Sequence, residues 1–250
     1  MSELRWHPLR QEWVITATHR MDRTYKPPKD FCPLCPTRPG AFPTEVPAED
    51  YEIVVFQNKF PSLQPQPPTP DVIGTDITPV EMAKGECEVV LYSPRHDGTL
   101  ADEPVGHIRN LVRVWKDRYQ ELGARPEIDY VFIFENKGDA VGVTLHHPHG
   151  QIYAFPFIPP VQERELQAIV AHRQKTGRCL VCDITAEEQS DGRRIVAESQ
   201  HFLAVIPFYA RYPYEVHILA KEHKSSLADL DTAWEWDLAR ILKLVMVKYD

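Results

Sequence analysis

Residues 88–102, EVVLYSPRHDGTLAD, reappear as residues 215–229, EVHILAKEHKSSLAD, at a constant offset of 127. Self-similarity at a fixed distance restricts a chain to architectures that use one supersecondary unit more than once. The likeness extends to both sides. Upstream of the copies stand two Cys-x-x-Cys pairs, Cys32/Cys35 and Cys179/Cys182, and two runs rich in β-branched and aromatic residues, 51–56 and 201–206. Downstream, 107–122 and 234–249 carry apolar residues at helical spacing, with Leu111 over Leu238 and Val114 over Ile241. Each half therefore reads as CxxC, strand, strand ending in a histidine (His96 or His223), helix. This predicts a duplicated α+β unit, with a first domain over 1–160 and a second over 161–250. His147 follows His96 by 51 residues, and the second half has no counterpart before Asp250. The second unit is accordingly expected to be incomplete.

Proline punctuates the first half. Thirteen of the 23 prolines lie between Pro27 and Pro79, which forbids long helices there, because proline lacks a backbone donor and restricts its predecessor. Residues 60–78 read as an extended excursion, which accounts for a Cys-to-His spacing of 61 in the first half against 41 in the second. The remaining composition excludes broad classes. With 28 Lys and Arg against 36 Asp and Glu, the net charge of −8 speaks against a general nucleic-acid binder. No apolar run approaches the roughly 18 residues of a membrane span, and the start lacks the apolar stretch of a secretory signal. A cytoplasmic protein is expected.

Paired CxxC in such a chain points to metal before disulfides. Cys32, Cys35, His96 and one histidine of 146–149 have the chemistry of a tetrahedral zinc site. Cys179, Cys182 and His223 supply only three ligands of a second, which is expected to be incomplete: either a weak site completed by a water or another residue, or a vestige. Cys87, the odd thiol, reads as a buried small side chain. Further along, His147, His149 and Gln151 alternate. If that stretch is extended, all three face one way, with Pro148 and Gly150 turned from them and Gly150 allowing close approach. Two imidazoles and an amide on a rigid face suit phosphate handling, and neutral imidazole is itself a nucleophile. On the residues alone, a set of metal or core ligands fits that alternation equally well. Of the other histidines, His172 and His201 show no partner pattern, and His217 reads as a satisfied core residue.

The motifs CPLC (32–35), FQNKFPSL (56–63), SPRH (93–96), ENKG (135–138) and HPHGQ (147–151), in that order, resemble the galactose-1-phosphate uridylyltransferase family of the histidine-triad superfamily. The resemblance runs from about Trp6 to the end of the chain. It implies antiparallel sheets flanked by helices, in two histidine-triad-like units. It also implies a nucleotidyltransferase that takes UMP from UDP-glucose onto His149 and passes it to galactose-1-phosphate. Zinc would be held by Cys32, Cys35, His96 and His147. Gln151 would contact the nucleotide phosphate, as would Thr144. Phe56, Asn58 and Asn136 match positions around the uridine and ribose, and Arg20 and Arg23 match arginines near the diphosphate. Glu165 matches a glutamate of a second metal site in some relatives, whose remaining partners would be histidines beyond Asp250, and a homodimer is expected of the full-length protein. A related ADP-sugar or dinucleotide phosphorylase is the alternative, although those relatives tend to carry Ser where this chain has Gly150. A shortened, inactive nucleotide-binding protein is the third reading.

Overall fold

A computed structural model describes residues 2–17, 31–141 and 143–250. They form two compact units, one of residues up to 98 with 121–160, the other of 99–120 with 161–250. All strand pairs are antiparallel, and helices accompany them, so the fold is α+β with antiparallel sheets. No helix among the described residues is long and apolar enough to cross a membrane.

The first unit holds two sheets. In one, β1 (Ser2–His7) lies between β2 (Glu12–Ala17) and β4 (Val80–Met82). The other contains β3 (Val54–Gln57), β5 (Glu86–Leu91), β6 (Tyr130–Phe134) and β7 (His149–Phe155), in the order β3-β5-β7-β6. Strand β5 is interior and buried along its whole length, which is why ECEVVL is apolar on both faces apart from its glutamates. Glu86, buried, accepts from Gln57 Nε2 at 3.0 Å and pairs with Arg125 at 2.9 Å, the compensation a buried carboxylate requires. Strand β7 alternates: Gly150, Ile152 and Ala154 are buried, while His149, Gln151 and Tyr153 are half-buried.

The CxxC loop packs Leu34 and Val46 on Val89 and Leu91 of β5. The proline-rich excursion contains neither helix nor strand up to β4, apart from a single bridge between Gln64 and Lys84. It is pinned by fully buried Leu63 and by a bond from Asn58 N–H to the Cys87 carbonyl at 2.8 Å. Cys87 is buried, as expected.

The second unit contains β8 (Ile195–Glu198), β9 (Phe202–Val205) and β10 (His217–Ala220) in the order β10-β9-β8. Its helices are α2 (Pro160–Thr176), α3 (Leu180–Asp191), α4 (Thr232–Tyr249) and residues 105–120 of α1 (Val105–Gly123). Trp234, Ile241 and Val245 of α4 close a core on Phe202 and Ala204. Short 3-10 turns, Leu100–Asp102 and Leu227–Asp229, precede α1 and α4, each with a reciprocal capping box (Thr99 with Asp102, Ser226 with Asp229). Lys116 donates to the carbonyl of Leu230, and Lys243 to the carbonyls of Ala101 and Glu103.

Two sequence expectations shift. The run 51–56 becomes strand only from Val54, and the Tyr51 hydroxyl joins a cluster of bonds described below. His96 and His223 do not end strands: β5 stops at Leu91 and β10 at Ala220, and both histidines lie in the loops beyond.

Candidate functional site

The site is assembled on β7 and the loop that follows β5. Strand pairing sets Leu91 opposite His149 and Val89 opposite Gln151, while β3 sets Phe56 opposite Val89 and β6 sets Phe134 opposite Gln151. Directly paired residues share a sheet face, so Phe56, Gln151 and Phe134 form one rung beside His149. Beyond Leu91 the chain stays interlocked with the residues before β7. Tyr92 N–H donates to the Pro148 carbonyl at 3.2 Å, and the Ser93 carbonyl accepts from His147 Nε2 at 2.8 Å. The regular strand begins at His149.

These bonds assign both imidazole tautomers. His147 is almost wholly buried (1% exposed). With Nε2–H donating to Ser93, its Nδ1 is the bare nitrogen, and that atom lies 3.5 Å from Cys35 Sγ. The Tyr51 hydroxyl also donates to the Ser93 carbonyl, at 2.7 Å, and lies 2.9 Å from His147 Nε2. His149 has the opposite arrangement: its Nδ1–H donates to the His147 carbonyl at 2.7 Å, leaving the lone pair on Nε2. Burial lowers the pKa of His149, so the neutral, nucleophilic form is favoured.

Cys32, Cys35, His96 and His147 bring one ligand atom each to within 4.8 Å of one another. Cys35 Sγ lies 3.5 Å from Nδ1 of both His96 and His147. With zinc–sulfur and zinc–nitrogen bonds of about 2.3 and 2.0 Å, the edge of a tetrahedron is about 3.5 Å, so the donors fit the ion in kind and in spacing. Their electrostatics agree. Burial, with Cys32 beside it, pushes the Cys35 thiol up to about 12, and burial pushes His147 down to about 4. Crowded donors that resist carrying charge themselves are what a dication stabilises. The second group, Cys179, Cys182 and His223, is equally close-knit, with Cys182 Sγ 3.4 Å from His223 Nδ1.

Asn58 and Gln151 are brought together: Asn58 Nδ2 donates to Gln151 Oε1 at 3.4 Å, and Asn58 Oδ1 accepts from Phe60 N–H at 2.9 Å. Gln151 thus keeps its own amide donors for another acceptor. Phe56 packs at the rim of the cluster formed by the CxxC loop. Asn136 and Thr144 are exposed. Arg20 and Arg23 lie outside the described residues. Glu165 is exposed on α2, where, after burial and Glu188, it helps raise the phenol of Tyr209; the close-knit group of possible ligands in that unit is Cys179, Cys182 and His223.

Tyr51, Tyr92 and Ser93 escaped the sequence reading. Ser93 acts through its backbone carbonyl, which no residue type advertises, and Tyr51 looked like an ordinary strand former. His172 and His201 do have partners: His172 Nε2 lies 2.8 Å from Asp183, and His201 stacks on Trp234 at 4.3 Å. His217 is half-buried and bonded to Glu215 at 2.9 Å.

Residues 1–159 match the family described as galactose-1-phosphate uridyl transferase, N-terminal domain, and residues 165–250 match its C-terminal domain. Galactose-1-phosphate uridylyltransferase of Thermotoga maritima is 41% identical over the whole chain, which spans 76% of that relative. A solved uridylyltransferase structure superposes with a TM-score of 0.84 at 32% identity, covering 97% of this chain and 73% of its own. An ADP-glucose phosphorylase from Arabidopsis thaliana, solved with bound ADP-glucose, is more distant, with a TM-score of 0.71 at 28% identity over 99% of this chain and 77% of its own. Extended likeness in sequence and structure, around a histidine with a free Nε2 and a Cys2His2 donor set, means that the chain belongs to the galactose-1-phosphate uridylyltransferase family.

Proposed function

We propose that the protein transfers UMP from UDP-glucose to galactose-1-phosphate through a covalent uridylyl group on His149. The observation that carries this reading is the 2.7 Å bond from His149 Nδ1–H to the His147 carbonyl. It holds the proton on Nδ1 and leaves the lone pair on Nε2, so no separate base is needed. Nε2 attacks the α-phosphorus. The new N–P bond forms as the P–O bond breaks, and glucose-1-phosphate leaves with the electron pair. The positive charge that develops on the ring strengthens the Nδ1–H bond to the carbonyl. Galactose-1-phosphate then attacks the same phosphorus through a phosphate oxygen, and Nε2 departs with its electron pair restored. Gln151, its carbonyl oxygen engaged by Asn58, donates its N–H to a phosphate oxygen whose charge changes in the transition state. Phe56 and Asn136 border the uridine, Thr144 contacts a phosphate, and Arg20 and Arg23 pair with the diphosphate.

Zinc fits Cys32, Cys35, His96 and His147. When bound, it clamps the CxxC loop to the residue whose carbonyl orients the nucleophile, a positioning role. Cys179, Cys182 and His223 form a second, structural site. We further read the chain as one histidine-triad-like unit used twice, with the chemistry in residues 1–160 and the second unit in 161–250. That reading is supported by the lysines: Lys116 bonds the carbonyl of Leu230, Lys243 bonds that of Glu103, and each partner is shifted by the offset of the repeat, 127. A homodimer of the full-length protein follows from the family resemblance, and five cysteines outside any disulfide suit the reducing cytoplasm.

Intact-protein mass after brief incubation with UDP-glucose tests the reading, beside a His149→Ala control. A UMP-sized gain in the unaltered protein alone is expected. An AMP-sized gain from ADP-glucose, with none from UDP-glucose, would transfer the site to the phosphorylase reading. No gain from either donor would leave a nucleotide-binding protein.

A further inference from the structure

The strand that carries His149 is backed by a residue with no assigned role. Tyr92 is 2% exposed and directs its ring at Gly150, the neighbour of the nucleophile. A Cβ built on Gly150 would meet the Tyr92 hydroxyl at 2.1 Å, the Tyr92 Cζ at 3.0 Å and the Phe134 carbonyl at 3.0 Å. The phenol therefore fills the volume that any other residue at position 150 needs. Its hydroxyl is hydrogen-bonded to the Glu135 carboxylate, and burial together with that carboxylate keeps the phenol protonated. Its backbone N–H is committed as well, to the Pro148 carbonyl at 3.2 Å. One residue thus grips Pro148 through its main chain and Gly150 through its side chain, on either side of His149.

The geometry points to Tyr92 as a positioning residue for His149: its hydroxyl, anchored by Glu135 and wedged against Gly150, holds β7 so that Nε2 stays in line with the phosphorus. This rests on the uridylyl-transfer reading and adds a constraint to it. Glycine at position 150 and tyrosine at position 92 form one unit, so their substitutions must couple. The nucleophile itself is untouched by either change. A loss of alignment lowers the rate of the chemical step while leaving donor binding in place, because the phosphate and uridine contacts come from other residues.

The test is a double-mutant cycle of Tyr92→Phe, Gly150→Ala and the pair, read in two ways on the full chain. The first readout is the rate of UMP-adduct formation across UDP-glucose concentrations. The second is the rate at which diethyl pyrocarbonate modifies His149, resolved by peptide mapping and independent of any nucleotide. Tyr92→Phe is expected to slow adduct formation about tenfold with unchanged half-saturation. Gly150→Ala is expected to slow it about a hundredfold, and the double variant to recover about tenfold over Gly150→Ala, since removing the hydroxyl removes the closest contact. Carbethoxylation rates should follow the same order. Additive effects, or a Tyr92→Phe protein with an unaltered rate in both readouts, overturn the inference while the transfer reading stands. Coupled carbethoxylation rates with no adduct in the unaltered protein support the positioning role and overturn the transfer reading instead. Should Gly150→Ala fail to fold, Tyr92→Phe decides alone, by the split between rate and half-saturation.

Discussion

The carbonyl oxygen of His147 accepts the Nδ1–H of His149 at 2.7 Å, so the residue whose ring belongs to the Cys2His2 donor set also orients the proposed nucleophile with its main chain. Structure and chemistry meet in a single dipeptide step. Whatever holds His147 therefore holds His149, and disturbances of the metal group are expected to be felt as losses of rate.

Metal content should follow the two clusters. The unaltered protein is expected to hold two zinc ions by atomic emission, with Cys35→Ser and Cys182→Ser each losing one. Cys35→Ser should also slow adduct formation at least about tenfold, because the His147 carbonyl loses its fixed position. Cys182→Ser should leave that rate within about twofold. Equal effects of the two variants on the rate would contradict the assignment of separate roles.

Tyr51 supports the first metal group from outside it. Its hydroxyl donates to the Ser93 carbonyl at 2.7 Å, beside the bond that fixes the His147 tautomer. Tyr51→Phe keeps the ring and removes that donor. Competition against a colorimetric chelator should show zinc affinity weakened about tenfold, with the second site unaffected.

The Asn58–Gln151 pair predicts an ordered series of losses. Gln151→Ala removes the proposed phosphate donor directly and should slow uridylylation about a hundredfold. Asn58→Ala leaves the donor present but free to turn, and should cost about tenfold. If Asn58→Ala is the more damaging of the two, its main role lies elsewhere than in orienting Gln151.

Lys116 and Lys243 test the duplication. Each bonds backbone carbonyls of the segment that precedes the other helix. Replacing either with Met should lower stability by about 1–3 kcal/mol, the worth of a charged hydrogen bond, measured from urea midpoints. Comparable costs are expected if the two contacts are equivalent by descent. A negligible cost at one position would argue that the correspondence is accidental.

Helix α4 provides a pH dependence. The Asp231 carboxylate accepts from the backbone N–H of Trp234 and of Ala233, and these bonds hold its pKa below the usual 3.8. A folded pKa below the unfolded value contributes stability that is complete above about pH 4 and is lost as the pH falls through the lowered value. Asp231→Ala should therefore lower Tm by about 2–4 °C at pH 7. The difference should shrink toward zero as the pH is brought below 3.8, by calorimetry of both proteins side by side.

Much of this architecture was written in local pattern. The helices at 105–123 and 232–249 follow from apolar spacing, the strands from β-branched runs, and the two groups of possible metal ligands from CxxC with a histidine downstream, because each depends on residue type and short-range periodicity. HPHGQ, in company with its neighbouring motifs, marked the proposed nucleophile by resemblance. Tertiary structure alone decided what the main chain does. It selected the tautomers of His147 and His149 through two carbonyls, set Ser93 and Tyr51 against the Cys2His2 donor group, and put Tyr92 behind Gly150. The physical reason is that side-chain identity records propensity and ligand chemistry, whereas carbonyl direction, close approach and shared hydrogen bonds exist only once distant segments have met. A motif can name the atom that reacts, and only the packed chain can fix which way it points.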